Sequence, residues 1–213
     1  MRATRIIALR HGETAWNVDT RIQGRLDIDL NDTGRWQARR AAQALASEEI
    51  DAVYSSDLLR AWDTACMIAR ATGQEVQAVQ TLRERGFGAF EGRTFTEIEA
   101  MWPEQTMRWR QRDPLWKPEG GESLLELRER IEQTVSTLAE RHPGEQIVLV
   151  AHGGVLDVLY RLATRQDLQT PRSWNLGNAT INRLLWTPEG LTLVGWADTR
   201  HLEDDEALDE TSA

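Results

Sequence analysis

Two histidines in this chain share one local layout. Ile6-Ile7-Ala8-Leu9 runs into Arg10-His11-Gly12, and Ile147-Val148-Leu149-Val150-Ala151 runs into His152-Gly153-Gly154. Each lead-in is an apolar run of the kind a buried parallel strand shows. Open α/β sheets place their ligands at the carboxyl ends of such strands. Arg10 offers a planar fork matched to phosphate oxygens, and His11 a ring nitrogen that is neutral and nucleophilic near pH 7. Gly153 and Gly154 open a helix, where backbone N–H groups and the helix dipole both favour an anion. Arg60 falls in the first turn of a helix that follows the short strand Ala52-Val53-Tyr54, which brings it to the same edge if the strands are parallel. Glu84, in a glycine-punctuated loop from Leu82 to Gly92, can protonate a leaving oxygen. A lone histidine is more often a satisfied loop residue, and a lone helix arginine is more often solvated. Together these residues supply what metal-independent phosphoryl transfer requires: a nucleophile, positive charge for the equatorial oxygens, and an acid.

The elements that must hold them in place are legible as a βα succession. Asn17 to Asn31 lacks helical periodicity and reads as an irregular segment over the sheet edge. Asn31-Asp32-Thr33-Gly34 carries helix-start chemistry, and Ala38, Ala41, Ala42 and Leu45 follow at helical spacing. Asp57 is expected to cap the next helix, whose face is Leu58, Ala61, Ala65, Ile68 and Ala69. Val76 to Val79 is a third strand. Thr94–Trp102 and Glu104–Arg112 read as short helices broken by Pro103 and ended before Pro114. Ser123-x-x-Glu126 forms a capping box for a long amphipathic helix through Leu138. Thr180–Trp186 and Leu191–Trp196 form a terminal hairpin. The expected fold is a three-layer α/β sandwich, a mostly parallel sheet with helices on both faces and a small helical cap at about 92–122. Residues 1–202 are expected to make one domain and 203–213 an acidic tail.

Composition narrows the function classes. The 213 residues carry a net charge of −9, which argues against nucleic-acid and anionic-membrane partners. No run approaches the ~18 apolar residues of a membrane span. Met1 leads into strand-like sequence without a signal-peptide layout, and Cys66 is the single cysteine. Both point to a cytoplasmic protein. Of the 25 basic residues only Lys117 is a lysine. His142 and His201 read as structural or solvated.

The motifs resemble a known family. Leu9-Arg10-His11-Gly12-Glu13-Thr14 with Asn17 is similar to the signature of the histidine phosphatase superfamily, the phosphoglycerate mutase-like proteins. Gln23-Gly24, Ser55-Ser56-Asp57-Leu58-Leu59-Arg60-Ala61, Leu82-Arg83-Glu84 with Gly88 and Glu91-Gly92, Gly120-Gly121-Glu122-Ser123, and Val150-Ala151-His152-Gly153-Gly154 follow in the family's order. The resemblance implies that His11 becomes a phosphohistidine, that Arg10, Arg60 and His152 clamp the phosphoryl group, and that Glu84 is the acid and then the base. It implies that Asn17, Gln23 and Gly24 line the phosphate pocket, and that neither metal nor organic cofactor is needed.

The compact interval from Gly92 to Val150 resembles the phosphatase branch more than the mutases, which carry a longer insertion. The expected activity is hydrolysis of small phosphate esters. Cofactor-dependent phosphoglycerate mutase is the alternative, and a phosphate-binding regulatory module a third reading. Substrate choice is expected to lie in the residues after Asn17 and in the cap between Thr94 and Pro118. There Trp102, Trp109 and Trp116 read as packing before they read as a ligand wall. Arg108, Arg110 and Arg112 are either a second anion site or solvated. His152 is expected to be held charged by phosphate and carboxylates while His11 is neutral. A homodimer is left open.

Overall fold

A computed structural model describes residues 2–203. The first strand, β1 (Thr4–Arg10), forms the frame with β4 (Gln146–Ala151), pairing in parallel from Arg5↔Gln146 to Arg10↔Ala151. Their ends are therefore level, and the N–H of His11 continues the ladder by donating to the Ala151 carbonyl at 3.0 Å. On the other side of β4 lie β2 (Ala52–Ser55) and β3 (Val76–Ala78), both parallel. On the other side of β1 lies the hairpin β5 (Ile181–Thr187) and β6 (Gly190–Asp198), antiparallel as the sequence suggests. The order is β3-β2-β4-β1-β5-β6.

Alternation along the strands divides the core into two layers. Ile6, Ala8, Ile147 and Leu149 face α6 (Leu124–Ala139) and α7 (Gly153–Thr164), meeting Leu127, Ile131, Val155 and Leu159. Ile7, Leu9, Val148 and Val150 face α2 (Asp32–Leu45) and α3 (Leu59–Thr72). There the opposing surface is largely alanine, Ala41, Ala42, Ala61, Ala65 and Ala69, which lets both helices approach the sheet closely. Each fully buried aliphatic side chain contributes about 1.5–3 kcal/mol over exposure. The helices after β1 and β4 thus lie on opposite faces, so the sheet edge between them opens into a crevice.

The start signals hold with one exception. Asn31 accepts from the N–H of Gly34 at 2.7 Å, and Ser123 and Glu126 make a reciprocal capping box. Asp57 does not cap α3. Leu58 occupies the cap without a side-chain bond, and Asp57 instead receives both arms of Arg83 at 2.6 Å. The Arg83 guanidinium holds the Asp57 carboxyl below the usual range. A bidentate guanidinium outcompeted the helix N–H groups.

Between Asn17 and Asn31 the chain makes only the one-turn helix α1 (Ala15–Val18) and isolated bridges. Pro103 separates α4 (Phe95–Met101) from α5 (Pro103–Arg110) and sits at the first position of the latter. These two helices enclose a second small core of Phe90, Ile98 and Trp116, with Trp102 and Trp109 packed against it. Apart from Glu203, the acidic tail falls outside the described residues. Among the described residues no helix is long and apolar enough to cross a membrane.

Candidate active site

His11 hangs from the end of β1 with both ring nitrogens engaged. Its Nδ1 lies 2.6 Å from the Gly12 carbonyl, which can only accept, so Nδ1 carries the proton and Nε2 the lone pair. Nε2 lies 3.3 Å from the Nε–H of Arg60. Gly12 is needed for close approach: a Cβ there would stand 2.3 Å from the Gly34 carbonyl oxygen. Its N–H donates to Thr64 Oγ1 at 3.1 Å, tying the loop to α3.

Arg60 is buried in the first turn of α3, where the sequence put it. Its Nη atoms donate to the carbonyls of Leu26 at 2.7 Å and Gly24 at 2.8 Å. Three of its five N–H groups are thereby used, and the remaining pair can serve a ligand. The irregular segment before Asn31 thus has a definite task, since two of its carbonyls aim this guanidinium. Gly24 adopts φ +52, in the left-handed region, and a Cβ would collide with Glu91. Arg10 donates to the Leu176 carbonyl at 2.7 Å, while its Nε is buried without a protein partner.

A cavity of about 180 Å³ is lined by Arg10, His11, Asn17, Gln23, Gly24, Arg60 and Glu84, together with Arg21, Ile22 and Phe87. Seven of the nine sequence candidates therefore meet in one space. Asn17 accepts from the N–H of Thr14 with its amide oxygen, which turns its NH₂ group outward as a donor. Gln23 is buried, and its Oε1 lacks a protein partner.

The other two candidates sit differently. His152 is fully buried and is not among the residues lining this cavity; its ring centroid is 5.3 Å from that of His11. Its Nε2 pairs with Ser56 Oγ at 2.8 Å, and its Nδ1 is buried without a protein partner. Gly153 lines a neighbouring, larger chamber instead. The expected anion-binding helix N-terminus already holds a carboxyl group of the protein's own. The Gly154 N–H donates to both carboxylate oxygens of Glu84 at 3.1 Å, and the Arg85 N–H adds a bond of 2.8 Å.

The electrostatics describe the two histidines before phosphate arrives. Burial, then Arg10 and Arg60, push the His11 pKa well below its ordinary value. Burial and then Arg60 do the same to His152, with Arg10 and Arg130 acting in the same direction. Glu84 is bonded to the Gly154 N–H, and His152 to Ser56. Both rings are neutral near pH 7 in the ligand-free protein. Burial lowers Arg60 only to about 10, so it stays charged.

Several contributing residues escaped the sequence reading. Asn178 donates to the His11 carbonyl at 2.9 Å, and the Ala179 N–H to that of Arg10 at 3.0 Å. No motif surrounds them. Ser56 was legible in principle, since β2 ends level with β4 and its N–H donates to the Val150 carbonyl. Of the cap arginines, Arg108 pairs with Asp113 and Arg110 with Glu99, whereas Arg112 lines the larger chamber. Trp109 both packs against Phe90 and lines that chamber. His142 is structural, held by Glu145 and Tyr54.

The sequence profile of the histidine phosphatase superfamily (branch 1) matches residues 6–199. Two Arabidopsis thaliana proteins are each 39% identical to this chain over 93% of its length. They are phosphoglycerate mutase-like protein 4, of which 87% is covered, and a metal-independent phosphoserine phosphatase, of which 83% is covered. Among solved structures, a mycobacterial glucosyl-3-phosphoglycerate phosphatase complexed with VO3 superposes with a TM-score of 0.81 at 34% identity. That match covers 93% of this chain and all (100%) of the other. The apolar strands ending in level histidines, the crevice between opposite helix layers and the cavity they frame are those of a member of the histidine phosphatase superfamily, to which this chain belongs.

Proposed function

We propose that this protein hydrolyses phosphate monoesters of small metabolites without a metal ion, through a phosphohistidine at His11. One observation carries the reading. The lone pair of His11 Nε2, fixed by the Gly12 carbonyl, opens among Arg10, Arg60 and Glu84 in a cavity of phosphoryl size.

In the first step His11 Nε2 attacks phosphorus and the P–O bond to the leaving alcohol breaks. Glu84 gives its proton to that oxygen. Arg10 Nε and the two unused N–H groups of Arg60 take up the charge on the equatorial oxygens. In the second step water attacks the phosphohistidine, Glu84 takes the water's proton, the P–N bond breaks and phosphate leaves. His152 stands behind the nucleophile and gains a proton as the dianion arrives, its unpartnered Nδ1 serving as donor. Asn17, Gln23, Gly24 and Gly153 would orient the ester. The phosphatases among the relatives support hydrolysis over mutase chemistry.

The test is phosphate release from a panel of esters in EDTA, with conversion of 3-phosphoglycerate to its 2-isomer followed in parallel. Release by the wild type and a fall of at least about 10³-fold in His11→Ala is the expected result. Isomer formation outrunning release would make the protein a mutase. Release surviving in His11→Ala would remove the mechanism.

A further inference from the structure

The phosphoryl cavity opens into a chamber of about 800 Å³, and the two share Arg10, Asn17, Arg21, Ile22 and Phe87. The leaving alcohol of any ester placed at His11 must occupy this space. Its charged lining is Arg10, Arg21, Arg85, Arg112, Arg172 and a single carboxylate, Asp157. Five cations against one anion is a marked local reversal in a protein of net charge −9.

Four of the five arginines are occupied by the protein. Arg10 is bound to the Leu176 carbonyl, and Arg21 to that of Gly92 and to Glu97. Arg85 donates to the Glu122 carbonyl at 2.7 Å. Arg112 is held in the left-handed region (φ 53) by Asp157 at 2.9 Å and by the Leu168 carbonyl at 2.6 Å. Asp157 is in turn neutralised by Arg161, also at 2.9 Å, so it does not offset the chamber's charge. Arg172 alone among these five, in the described residues, has neither an ion pair nor a hydrogen bond. It is exposed, and its charge is close enough to act on both Arg10 and Arg112. Trp16, Phe87 and Trp109 also line the chamber and supply apolar surface for the body of the leaving group.

We propose that Arg172 is a specificity residue that binds a second anionic group, a carboxylate or a further phosphate, on the leaving alcohol. The inference rests on the phosphatase reading, because it assigns the chamber to the alcohol half of an ester. An alkyl or neutral sugar alcohol gives this guanidinium nothing to pair with. An acidic one forms a charge-assisted bond with it.

The test compares kcat/KM for matched esters that differ by one anionic group. The pairs are 3-phosphoglycerate against glycerol 3-phosphate, phosphoserine against phosphoethanolamine, and fructose 1,6-bisphosphate against fructose 6-phosphate. The wild type is expected to favour the acidic member. Arg172→Ala is expected to shrink that preference by about 10-fold or more, carried mainly by KM, and Arg172→Lys to restore part of it. A shift confined to the first two pairs names a carboxylate, and a shift in all three an anion of either kind. A preference that Arg172→Ala leaves unmoved while esters are still turned over overturns this inference alone. Absence of turnover with any ester, para-nitrophenyl phosphate included, overturns the phosphatase reading and this inference with it.

Discussion

The proposed role of His11 as nucleophile depends on surroundings that keep it neutral. Burial and two guanidinium groups disfavour its imidazolium, so kcat/KM for a neutral-alcohol ester should show no loss from His11 protonation as pH falls through 6.5. An inflection near 6.5 that disappears in a variant of His11 alone would contradict this. The same groups carry a stability signature whose sign is fixed. Their folded pKa values lie below the unfolded value of about 6.5, so the unfolded chain binds more protons between the two. Stability should therefore fall as pH drops below 6.5, by about 1.4 kcal/mol per pH unit for each histidine until its folded pKa is reached. Urea unfolding at pH 7, 6 and 5 measures it, and His152→Asn should flatten the slope by one proton's worth. At Gly154, a Cβ would stand 2.3 Å from Glu84 Oε1. Gly154→Ala should displace the acid and lower kcat by about 10²-fold while the thermal midpoint moves little. An equal loss of both would mean that the substitution disrupts α7 itself.

At the scale of elements, the site depends on registration. The level ends of β1 and β4 set the two histidines side by side, and the capping box at Ser123 starts α6 beneath Glu84's loop. Ser123→Ala should cost about 1 kcal/mol in urea unfolding, with kcat unchanged. The cap is a separate matter, since Phe90 contacts Trp102, Trp109 and Trp116 at centroid distances of 5.3, 5.6 and 5.9 Å. Phe90→Ala should cost about 3–5 kcal/mol, and limited proteolysis should then cut first within residues 92–122. Cleavage elsewhere would show that the cap is not the weakened unit. Strands, helices and the hairpin were legible because apolar runs, capping boxes and prolines act locally. Asp57 was misread because its partner, Arg83, lies 26 residues away in sequence and only the fold brings it near. Asn178 was invisible for the same reason, being 167 residues from the carbonyl it holds.

Across the whole molecule, an acidic chain builds a basic interior at one sheet edge. The two cavities share Arg10, Asn17, Arg21, Ile22 and Phe87, so on the proposed reading the substrate's two halves are read by different parts of the protein. The phosphoryl half was visible in the sequence because it is built from strand ends and helix starts. The leaving-group half combines α5, the loop at Arg172 and the start of α7, segments distant in the chain, and Arg172 and Asp157 of its lining had not been singled out. The sequence also suggested a His152 held charged by bound phosphate; in the ligand-free protein its ring is neutral, because burial and neighbouring cations lower its pKa, and the charged state belongs to the phosphate-bound enzyme. The central claim is a covalent intermediate, and rapid quenching with an ester labelled at phosphorus tests it most directly. The account predicts an acid-labile, base-stable label on the peptide containing His11, formed in EDTA and absent from His11→Ala. Turnover with no label during a burst slow enough to sample, or a label that persists in His11→Ala, would contradict it.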